Sequence, residues 1–212
     1  MKIGVIGASG KAGSCIINEA IERGHEVTAI VRDAAKISDR GVSILERAIL
    51  ELTSEDLKSF DIVVNAFGAP LGQEHLHVEA GNVLIQALQK QPNTRLIVVG
   101  GAGSLYADET KQARVVESPH FPKEYLATAQ NQAENLRILE QTKELQWTFI
   151  SPSAHFEMGK RTGSYRTGKD QLLVNAKGES YVSYQDYAAA LVDEIEHPQH
   201  VNERFTVVSE SE

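Results

Sequence analysis

Three equally spaced glycines, Gly7, Gly10 and Gly13, stand between an apolar run and an amphipathic stretch. In a strand-turn-helix unit, such glycines allow a tight turn, a close approach of backbone to a pyrophosphate, and close packing of helix on strand. Amides between Ser9 and Ala12 would lie at the positive end of the helix, where an anion is favoured. The alternative is a tight turn without a ligand, but the flanking strand and helix favour a dinucleotide site.

The predicted second strand ends in Arg32 and Asp33. An acid at this place hydrogen-bonds the ribose hydroxyl of NAD, whereas an arginine accommodates the 2′-phosphate of NADP. The planar guanidinium of Arg32 matches phosphate geometry, and Lys11 and Ser9 could add to the same site. NADP(H) is therefore favoured over NAD(H), with a solvated Arg32 at a strand end as the alternative.

These residues need a scaffold of alternating strands and helices. Continuous apolar runs are typical of parallel strands covered on both faces. They predict strands at Ile3–Ile6, Val27–Val31, Val42–Leu45, Ile62–Ala66, Arg95–Val99, Trp147–Ile150 and Phe205–Val208. The helical stretches between them predict an α/β fold of the Rossmann type, a doubly wound and mostly parallel sheet with helices on both faces. The expected order is 3-2-1-4-5-6, with a seventh strand from the C-terminus.

The segment 156–184 interrupts this alternation. Its part 161–184 is rich in Gly, Thr and Tyr, and a turn signal spans Asn175 to Gly178. It predicts a loop and small hairpin inserted near the acceptor site. Without a linker or a repeat, residues 1–212 are expected to form one domain.

Bulk composition excludes some classes of function. The formal net charge is −8, and no Lys/Arg run exceeds two residues, so nucleic acid is not an expected partner unless the fold builds a basic patch. A single cysteine, Cys15, rules out an intrachain disulfide. No apolar stretch approaches the ~20 residues of a membrane span. We expect a cytoplasmic protein that acts on a small molecule, and the sequence leaves its oligomeric state open.

Several longer motifs extend beyond the glycine loop. They are "GASGKAG" (7–13), "VRD" (31–33), "VVNAFGAP" (63–70), "LIVVGGAGSLY" (96–106), "WTFISPSAHFEMGKRTGSYRTGKDQLLV" (147–174) and "SYQDYAAALVDEIEHP" (183–198). With these motifs the sequence resembles the atypical short-chain dehydrogenase/reductase superfamily, and more narrowly its NAD(P)-binding NADH-flavin reductase group. NmrA-like redox sensors and biliverdin-IXβ/flavin reductases are similar at a greater distance.

The resemblance implies a cofactor path along the carboxyl ends of the strands. Residues near the pyrophosphate, the adenosine and the adenine would be Gly7, Ala8, Ser9, Gly10, Lys11, Ala12, Arg32, Ile49, Ala66, Phe67 and Gly68. Residues near the nicotinamide would be Gly101, Ala102, Pro152, Ser153 and Ala154.

Two departures from the family pattern bear on function. Ala48 stands where relatives commonly have an adenine-contacting Asp, so that contact is either missing or supplied by backbone around Ile49. The Tyr-x-x-x-Lys pair is also absent, because Tyr125 is followed four residues later by Ala129. A tyrosine without a nearby lysine is a poor proton donor at neutral pH. This argues against carbonyl reduction and sugar epimerisation but leaves hydride transfer to a flavin or quinone intact.

Two residues are candidates for catalysis. Ser104 would hydrogen-bond the acceptor or the nicotinamide, with a helix cap as the alternative, and His155 would donate a proton or form a wall, with a packed histidine as the alternative. Tyr106, Phe156 and Tyr165 are candidates to stack on an isoalloxazine ring or to fill core. His75 and His77 are too few to predict a metal, and none is expected.

The leading hypothesis is an NAD(P)H-dependent reductase that passes hydride to a small-molecule acceptor, a flavin (FMN or FAD) or a quinone. The intact motifs 96–106 and 147–174, on the nicotinamide side, favour it. The alternative is a non-catalytic, NmrA-like module that senses NADP redox state, which the missing Tyr/Lys pair favours.

Overall fold

A computed structural model describes residues 1–37 and 41–211 of the chain. Its strands are β1 (Lys2–Ile6), β2 (Glu26–Val31), β3 (Ser43–Glu46), β4 (Ile62–Asn65), β5 (Arg95–Val99), β6 (Gln146–Ser151), β7 (His155–Glu157), β8 (Tyr165–Gly168), β9 (Tyr181–Ser183) and β10 (Glu203–Ser209). Its α-helices are α1 (Lys11–Glu22), α2 (Ser54–Leu57), α3 (Leu76–Leu88), α4 (Lys123–Gln141) and α5 (Tyr184–Glu196).

Eight strands form one sheet in the order β3-β2-β1-β4-β5-β6-β10-β8. The predicted order 3-2-1-4-5-6 is confirmed, and the predicted seventh strand is β10, which pairs parallel to β6. All neighbours are parallel except β8, which pairs antiparallel to β10 at the edge. Parallel strands place all their carboxyl ends at one edge, and this edge carries the ligand site in doubly wound folds.

Helices cover both faces of the sheet, which is why its central strands are apolar throughout. On one face, Ile16 of α1 and Leu191 of α5 join a buried cluster with Val5 and Phe205. On the other, α2, α3 and α4 contribute Leu57, Leu84 and Leu136 to a second cluster with β-strand residues such as Val63. The two clusters hold the helices against the sheet and so position the helix N-termini that lie at the carboxyl edge of its strands.

The predicted hairpin within 156–184 is wrong. β8 pairs with β10 instead, with Tyr165 opposite Ser209, because the C-terminal strand offers an open sheet edge. β7 and β9 pair with each other in parallel, with Phe156 opposite Val182, an arrangement that a hairpin cannot produce. The predicted turn is present, with Gly178 at φ +80°.

The N-termini of α2 and α5 are capped differently. At α2, Thr53 and Asp56 form the full reciprocal capping box. At α5, the Ser183 hydroxyl accepts from the Asp186 amide at 3.0 Å, but the Asp186 carboxylate binds residues 162 and 163 instead of returning to Ser183. The second box is therefore half formed, because the loop after β7 occupies its carboxylate.

Across the described ranges, no helix has the length and hydropathy needed to cross a membrane.

Candidate functional site

A cavity of about 810 Å³ lies along the carboxyl edge of the sheet. It reaches from the ends of β2 and β3, past the glycine loop after β1, to the ends of β4 and β5 and the first half of α4. Phe156 of β7 and Tyr184 of α5 line its far end. Ligands of doubly wound folds lie at this edge of the sheet.

The glycine loop has the close contacts that its sequence predicts. Gly7 has φ +74°, and a Cβ on it would lie 2.4 Å from the Ala66 carbonyl oxygen. A Cβ on Gly13 would lie 2.3 Å from the Gly7 carbonyl oxygen, so a side chain would push α1 off the turn. Gly10 caps α1 without a side-chain hydrogen bond, and the first turn of α1 carries no acidic residue. The helix N-terminus is thus open to an anion, and these residues fit a pyrophosphate.

Cationic side chains line the cavity beyond β2 and β3. Lys11, Arg32 and Lys36 are exposed and form no ion pair within residues 1–37 and 41–211. Arg47 joins them but also lies 3.6 Å from the carboxylate of Asp56. Asp33 lines the same region, and its Oδ1 accepts a hydrogen bond from the Ala35 amide at 3.1 Å. The carboxylate of Asp33 is therefore partly engaged by the turn that follows it, while Arg32 has no ion-pair partner in the described ranges.

The middle of the cavity is bordered by the chain that follows β4. Ala66, Phe67 and Gly68 line it, and the buried Asn65 side chain holds the turn by accepting from the Phe67 amide at 3.1 Å. His77, in the first turn of α3, also lines the cavity and packs edge-on against Phe67 with 5.9 Å between ring centroids. Burial lowers the pKa of His77, so its imidazole is neutral at physiological pH.

The far end of the cavity is built by β5, α4, β7 and α5. Val99 and Gly100 line it from the end of β5, and Phe156 and Tyr184 pack together with ring centroids 4.2 Å apart. Burial raises the pKa of Tyr184, and its hydroxyl stays protonated at neutral pH.

From α4, the residues that face this end are Thr128 and Gln132. Their spacing of four is that of a Tyr-x-x-x-Lys pair, but both side chains are neutral. Tyr125 and Ala129 do not line the cavity: Tyr125 is 61% exposed, and Ala129 is buried against Gly103.

The predicted cofactor residues divide into two groups. Those that line the cavity are Gly7, Ser9, Gly10, Lys11, Ala12, Arg32, Ile49, Ala66, Phe67 and Gly68. Those placed outside its lining are Ala8, Gly101, Ala102, Pro152, Ser153 and Ala154. Ala8 is buried in the core, and the Ser153 hydroxyl donates to the Val207 carbonyl at 2.8 Å. The Ala154 amide donates to Ser180, so the turn after β6 packs on β10 and β9.

The structure also separates the two predicted catalytic residues from the cavity. Ser104 is buried, its hydroxyl accepts from Arg204 at 3.3 Å, and it does not line the cavity. His155 is exposed and borders a different depression with Glu157 and Glu179, because alternate residues of β7 face opposite sides. Phe156 is the β7 residue that faces the cavity. These placements do not support an acceptor-side role for Ser104 or His155.

Among the three candidate stacking residues, Phe156 alone lines the cavity. Tyr106 lies under the Arg114 guanidinium, 4.9 Å from ring centroid to Cζ, and the Tyr165 hydroxyl donates to Asp193. Within the described residues, no group of three His, Cys, Asp or Glu side chains is arranged to hold a metal.

Several residues that line the cavity were not predicted from the sequence: Lys36, Arg47, Thr128, Gln132 and Tyr184. The α4 residues had a usable signal. Thr128, Gln132 and Asn135 form a polar stripe beside the apolar line of Ala129 and Leu136 at the helical period. Lys36 and Arg47 carried no local signal, because the turn after β2 and the end of β3 bring them to the cavity.

The fold, the glycine turn and the cavity at the carboxyl edge define a dinucleotide-binding protein of the Rossmann type. The chain belongs to the NAD(P)H-binding family, whose model matches residues 7–198. This confirms the predicted relation to the atypical short-chain dehydrogenase/reductases.

Known relatives span the full length of the chain. YwnB of Bacillus subtilis (strain 168) is 64% identical over 213 aligned positions, which cover 100% of both proteins. A solved structure from Streptococcus pneumoniae TIGR4, named "a putative NADH-flavin reductase", is 43% identical with a TM-score of 0.91 and covers 99% of this chain and 100% of that one. A "putative epimerase" from Bacteroides thetaiotaomicron is 37% identical with a TM-score of 0.90, covering 100% and 98%.

Proposed function

We propose that this protein is an NAD(P)H-dependent reductase that passes hydride to a flavin or a similar planar acceptor such as a quinone. One observation carries the proposal. The cavity joins an anion-binding glycine turn to an aromatic-walled end, and the face of α4 at that end presents Thr128 and Gln132, neither of which is an acid or base. Such a site is suited to aligning two planar groups and is poorly suited to protonating a carbonyl.

The chain's residues divide the work of binding. The amides at the start of α1 would receive the pyrophosphate, and Phe67 with Ile49 would border the adenosine. Val99 and Gly100 would form the floor on which the nicotinamide lies, next to α4. When bound, the reduced nicotinamide supplies hydride; the protein's task is to hold the acceptor close to it and keep water away.

The acceptor end supports a flat ligand. Phe156 and Tyr184 form a continuous aromatic wall, and the tilted stack between Phe156 and Tyr187 fixes it from behind. Aromatic faces bind planar rings by offset stacking. Because the raised pKa of Tyr184 keeps its hydroxyl neutral, the wall adds no charge.

A preference for NADP(H) belongs to the same proposal. Three cations line the end of the cavity beyond β2, namely Lys11, Arg32 and Lys36, and none of them forms an ion pair with another described residue, while Asp33 is engaged with Ala35. A 2′-phosphate would bring these cations a partner, whereas a free 2′-hydroxyl would leave them unpaired.

The name of the Bacteroides relative raises epimerisation as a second reaction, but the neutral Thr128 and Gln132 do not favour it. Proton exchange at a sugar carbon needs a general base, and the tyrosine at this end has a raised pKa. A redox sensor is the remaining alternative, and it differs from a reductase in binding NADPH without turnover.

The test follows the near-ultraviolet absorbance of NADPH, and separately of NADH, in the presence of FMN or a naphthoquinone. We expect protein-dependent oxidation that is faster with NADPH. A Gly7→Val variant is the first comparison, because Gly7 touches the Ala66 carbonyl and the variant cannot keep the turn. An exposed change on the far side of α4, Gln130→Ala, is the matched control. Tight NADPH binding without turnover on any acceptor would favour the sensor.

A further inference from the structure

The polar side chains that α4 presents to the cavity have no hydrogen-bond partner in the part of the chain that the structure describes. Thr128 and Gln132 are half-buried, and within residues 1–37 and 41–211 neither side chain makes a hydrogen bond. The helix itself is fixed close to the β5 turn, because a Cβ on Gly103 would lie 2.8 Å from the Ala129 Cβ. Two neutral hydrogen-bonding groups are thus held at the acceptor end without a hydrogen-bond partner among the described residues.

The Gln132 carboxamide is placed by a glycine. A Cβ on Gly101 would lie 2.1 Å from Gln132 Oε1 and 3.9 Å from Nε2, so the amide oxygen lies against the turn and the NH₂ group lies farther from it. An alanine at position 101 would displace the carboxamide. The glycine therefore permits an arrangement in which the NH₂ group is available to a ligand.

The polar stripe does not serve packing. One turn further, Asn135 is buried, and its Nδ2 has no partner among the described residues, although it nearly fills the place of a Gly81 side chain. A buried unpaired amide costs free energy, so an apolar stripe would stabilise the contact between α3 and α4 better. Stability alone gives no reason for amides along this edge of α4.

We propose that Gln132 is a specificity-determining residue that donates a hydrogen bond through Nε2 to a carbonyl oxygen of the acceptor, with the Thr128 hydroxyl beside it. The inference rests on the proposed function. It assigns the acceptor to planar compounds that carry a ring carbonyl, such as flavins and quinones, rather than to planar dyes without one.

The hydrogen bond from Gln132 becomes stronger as the acceptor is reduced. The acceptor gains two electrons and a proton from the C–H bond that breaks in the reduced cofactor, and a second proton comes from water. Electron density rises at the carbonyl oxygens of the acceptor as the hydride arrives. A positioned N–H donor therefore stabilises the transition state of hydride transfer more than the bound ground state, which accelerates the step. Gln132 transfers no proton and stays neutral throughout.

The test compares three acceptors: FMN, a naphthoquinone, and a phenothiazinium dye, which is planar and accepts hydride but has no carbonyl. Each rate is corrected for the rate without protein. Gln132→Glu keeps the shape and removes the donor, and Gln132→Ala removes the group altogether. We expect kcat/KM for FMN and the naphthoquinone to fall about tenfold or more in both variants, and the dye rate to change little.

Binding measurements separate the outcomes. The Kd for NADP⁺, measured by titration, should be unchanged in both variants, and Gln130→Ala should match the wild type in every assay. Equal losses with all three acceptors, or a weakened Kd for NADP⁺, would place Gln132 in the cofactor site and overturn the inference. If none of the three acceptors supports NADPH oxidation by the wild type, the proposed function fails. The hydrogen bond is then tested by comparing FMN binding to the NADP⁺ complex of the wild type with FMN binding to the NADP⁺ complex of Gln132→Glu. Equal FMN affinity of the wild type and Gln132→Glu would overturn the inference.

Discussion

Thr162 and Asp186 are joined by two hydrogen bonds: the Thr162 amide donates to Asp186 Oδ1 at 2.8 Å, and its hydroxyl donates to Oδ2 at 2.7 Å. The Gly163 amide donates to the same carboxylate at 2.9 Å, and Asp186 is fully buried. Nearby, the Gly159 amide donates to the Gln185 side chain. Residues 159–163, here called the strap, are therefore tied to the first turn of α5. The strap follows Phe156 in the chain and is hydrogen-bonded to the same helix that carries Tyr184.

Replacing Asp186 should loosen the strap and the aromatic wall together. Asp186→Ala removes the buried carboxylate that accepts three hydrogen bonds from the strap, and we expect a loss of about 1–3 kcal/mol in the free energy of unfolding, measured by urea denaturation. Asp186→Asn keeps one acceptor oxygen and should lose less. In variants that remain folded, KM for the acceptor should rise more than KM for NADPH. The control is Glu109→Gln, an exposed acid elsewhere. Equal stability of Asp186→Ala and the control would contradict the account.

Replacing Arg32 should change cofactor preference. A charge-assisted hydrogen bond to phosphate contributes roughly 1.5–3 kcal/mol, so Arg32→Ala should weaken NADPH binding about tenfold or more. NADH binding should change far less, since NADH has no 2′-phosphate. Titration of each nucleotide at low and high salt measures both effects, and the NADPH loss should shrink as salt screens the charge.

The matched control for Arg32 is Arg137→Ala, which removes an exposed arginine on α4 that pairs with Glu134. It should leave both affinities unchanged. If Arg32→Ala weakens NADPH and NADH equally, Arg32 serves the shared part of the dinucleotide, and the preference for NADP(H) loses its main support.

At the opposite end of the sheet, Arg95 and Glu194 form a buried ion pair. Nη1 of Arg95 lies 3.0 Å from Oε1 of Glu194, and both side chains are about 5% exposed. Glu194 also accepts from the His200 and Gln199 amides. Removing one partner leaves a buried charge, so Arg95→Met should lower the free energy of unfolding by about 3–5 kcal/mol. Arg95→Met combined with Glu194→Gln should lose less than the sum of the two single changes.

The comparison for this pair is Lys58→Met, which breaks an exposed pair with Glu55 and should change stability by at most about 1 kcal/mol. NADPH affinity should be unaffected in stable Arg95 variants, because Arg95 begins β5 and the cavity lies at the other end of that strand. If Arg95→Met and Lys58→Met lower the free energy of unfolding by the same small amount, the buried pair is not needed for stability.

The scaffold was predictable because its signals are local. Continuous apolar runs such as Ile3–Ile6 mark covered parallel strands, and the strand order follows from the doubly wound rule once the alternation is seen. The glycine turn was also predictable from the sequence, because its position requires glycine. Gly7 has φ +74°, and a Cβ there would lie 2.4 Å from the Ala66 carbonyl oxygen.

Side-chain direction was not predictable where an element is short. In the three-residue β7, a step of one residue reverses the face, which is why His155 points away and Phe156 points into the cavity. In α4, the exposed Tyr125 lies outside the cavity lining, and Thr128, one turn further along the helix, lines the cavity. The hairpin prediction failed for another reason: pairing of β8 with β10 joins residues about 40 positions apart, and nothing in the local pattern of 156–184 encodes it.

His77 should make stability depend on pH. Its folded-state pKa is lowered by burial, and Glu74 offsets this only in part. A histidine with a depressed pKa is neutral in the folded protein while the unfolded chain binds a proton below about pH 6.5. The unfolded state then holds more protons, so the free energy of unfolding falls as pH drops below that value and is fully retained above it.

The measurement is urea denaturation of the wild type and His77→Gln between about pH 8 and pH 5. Other groups titrate in both proteins, so the informative quantity is the difference between them. The wild type should lose more free energy of unfolding than His77→Gln as pH falls through the lower half of this window. His120→Gln, a change at an exposed histidine, is the control and should follow the wild type. Parallel pH profiles for the wild type and His77→Gln would mean that the imidazole beside Phe67 is protonated as readily in the fold as in the unfolded chain.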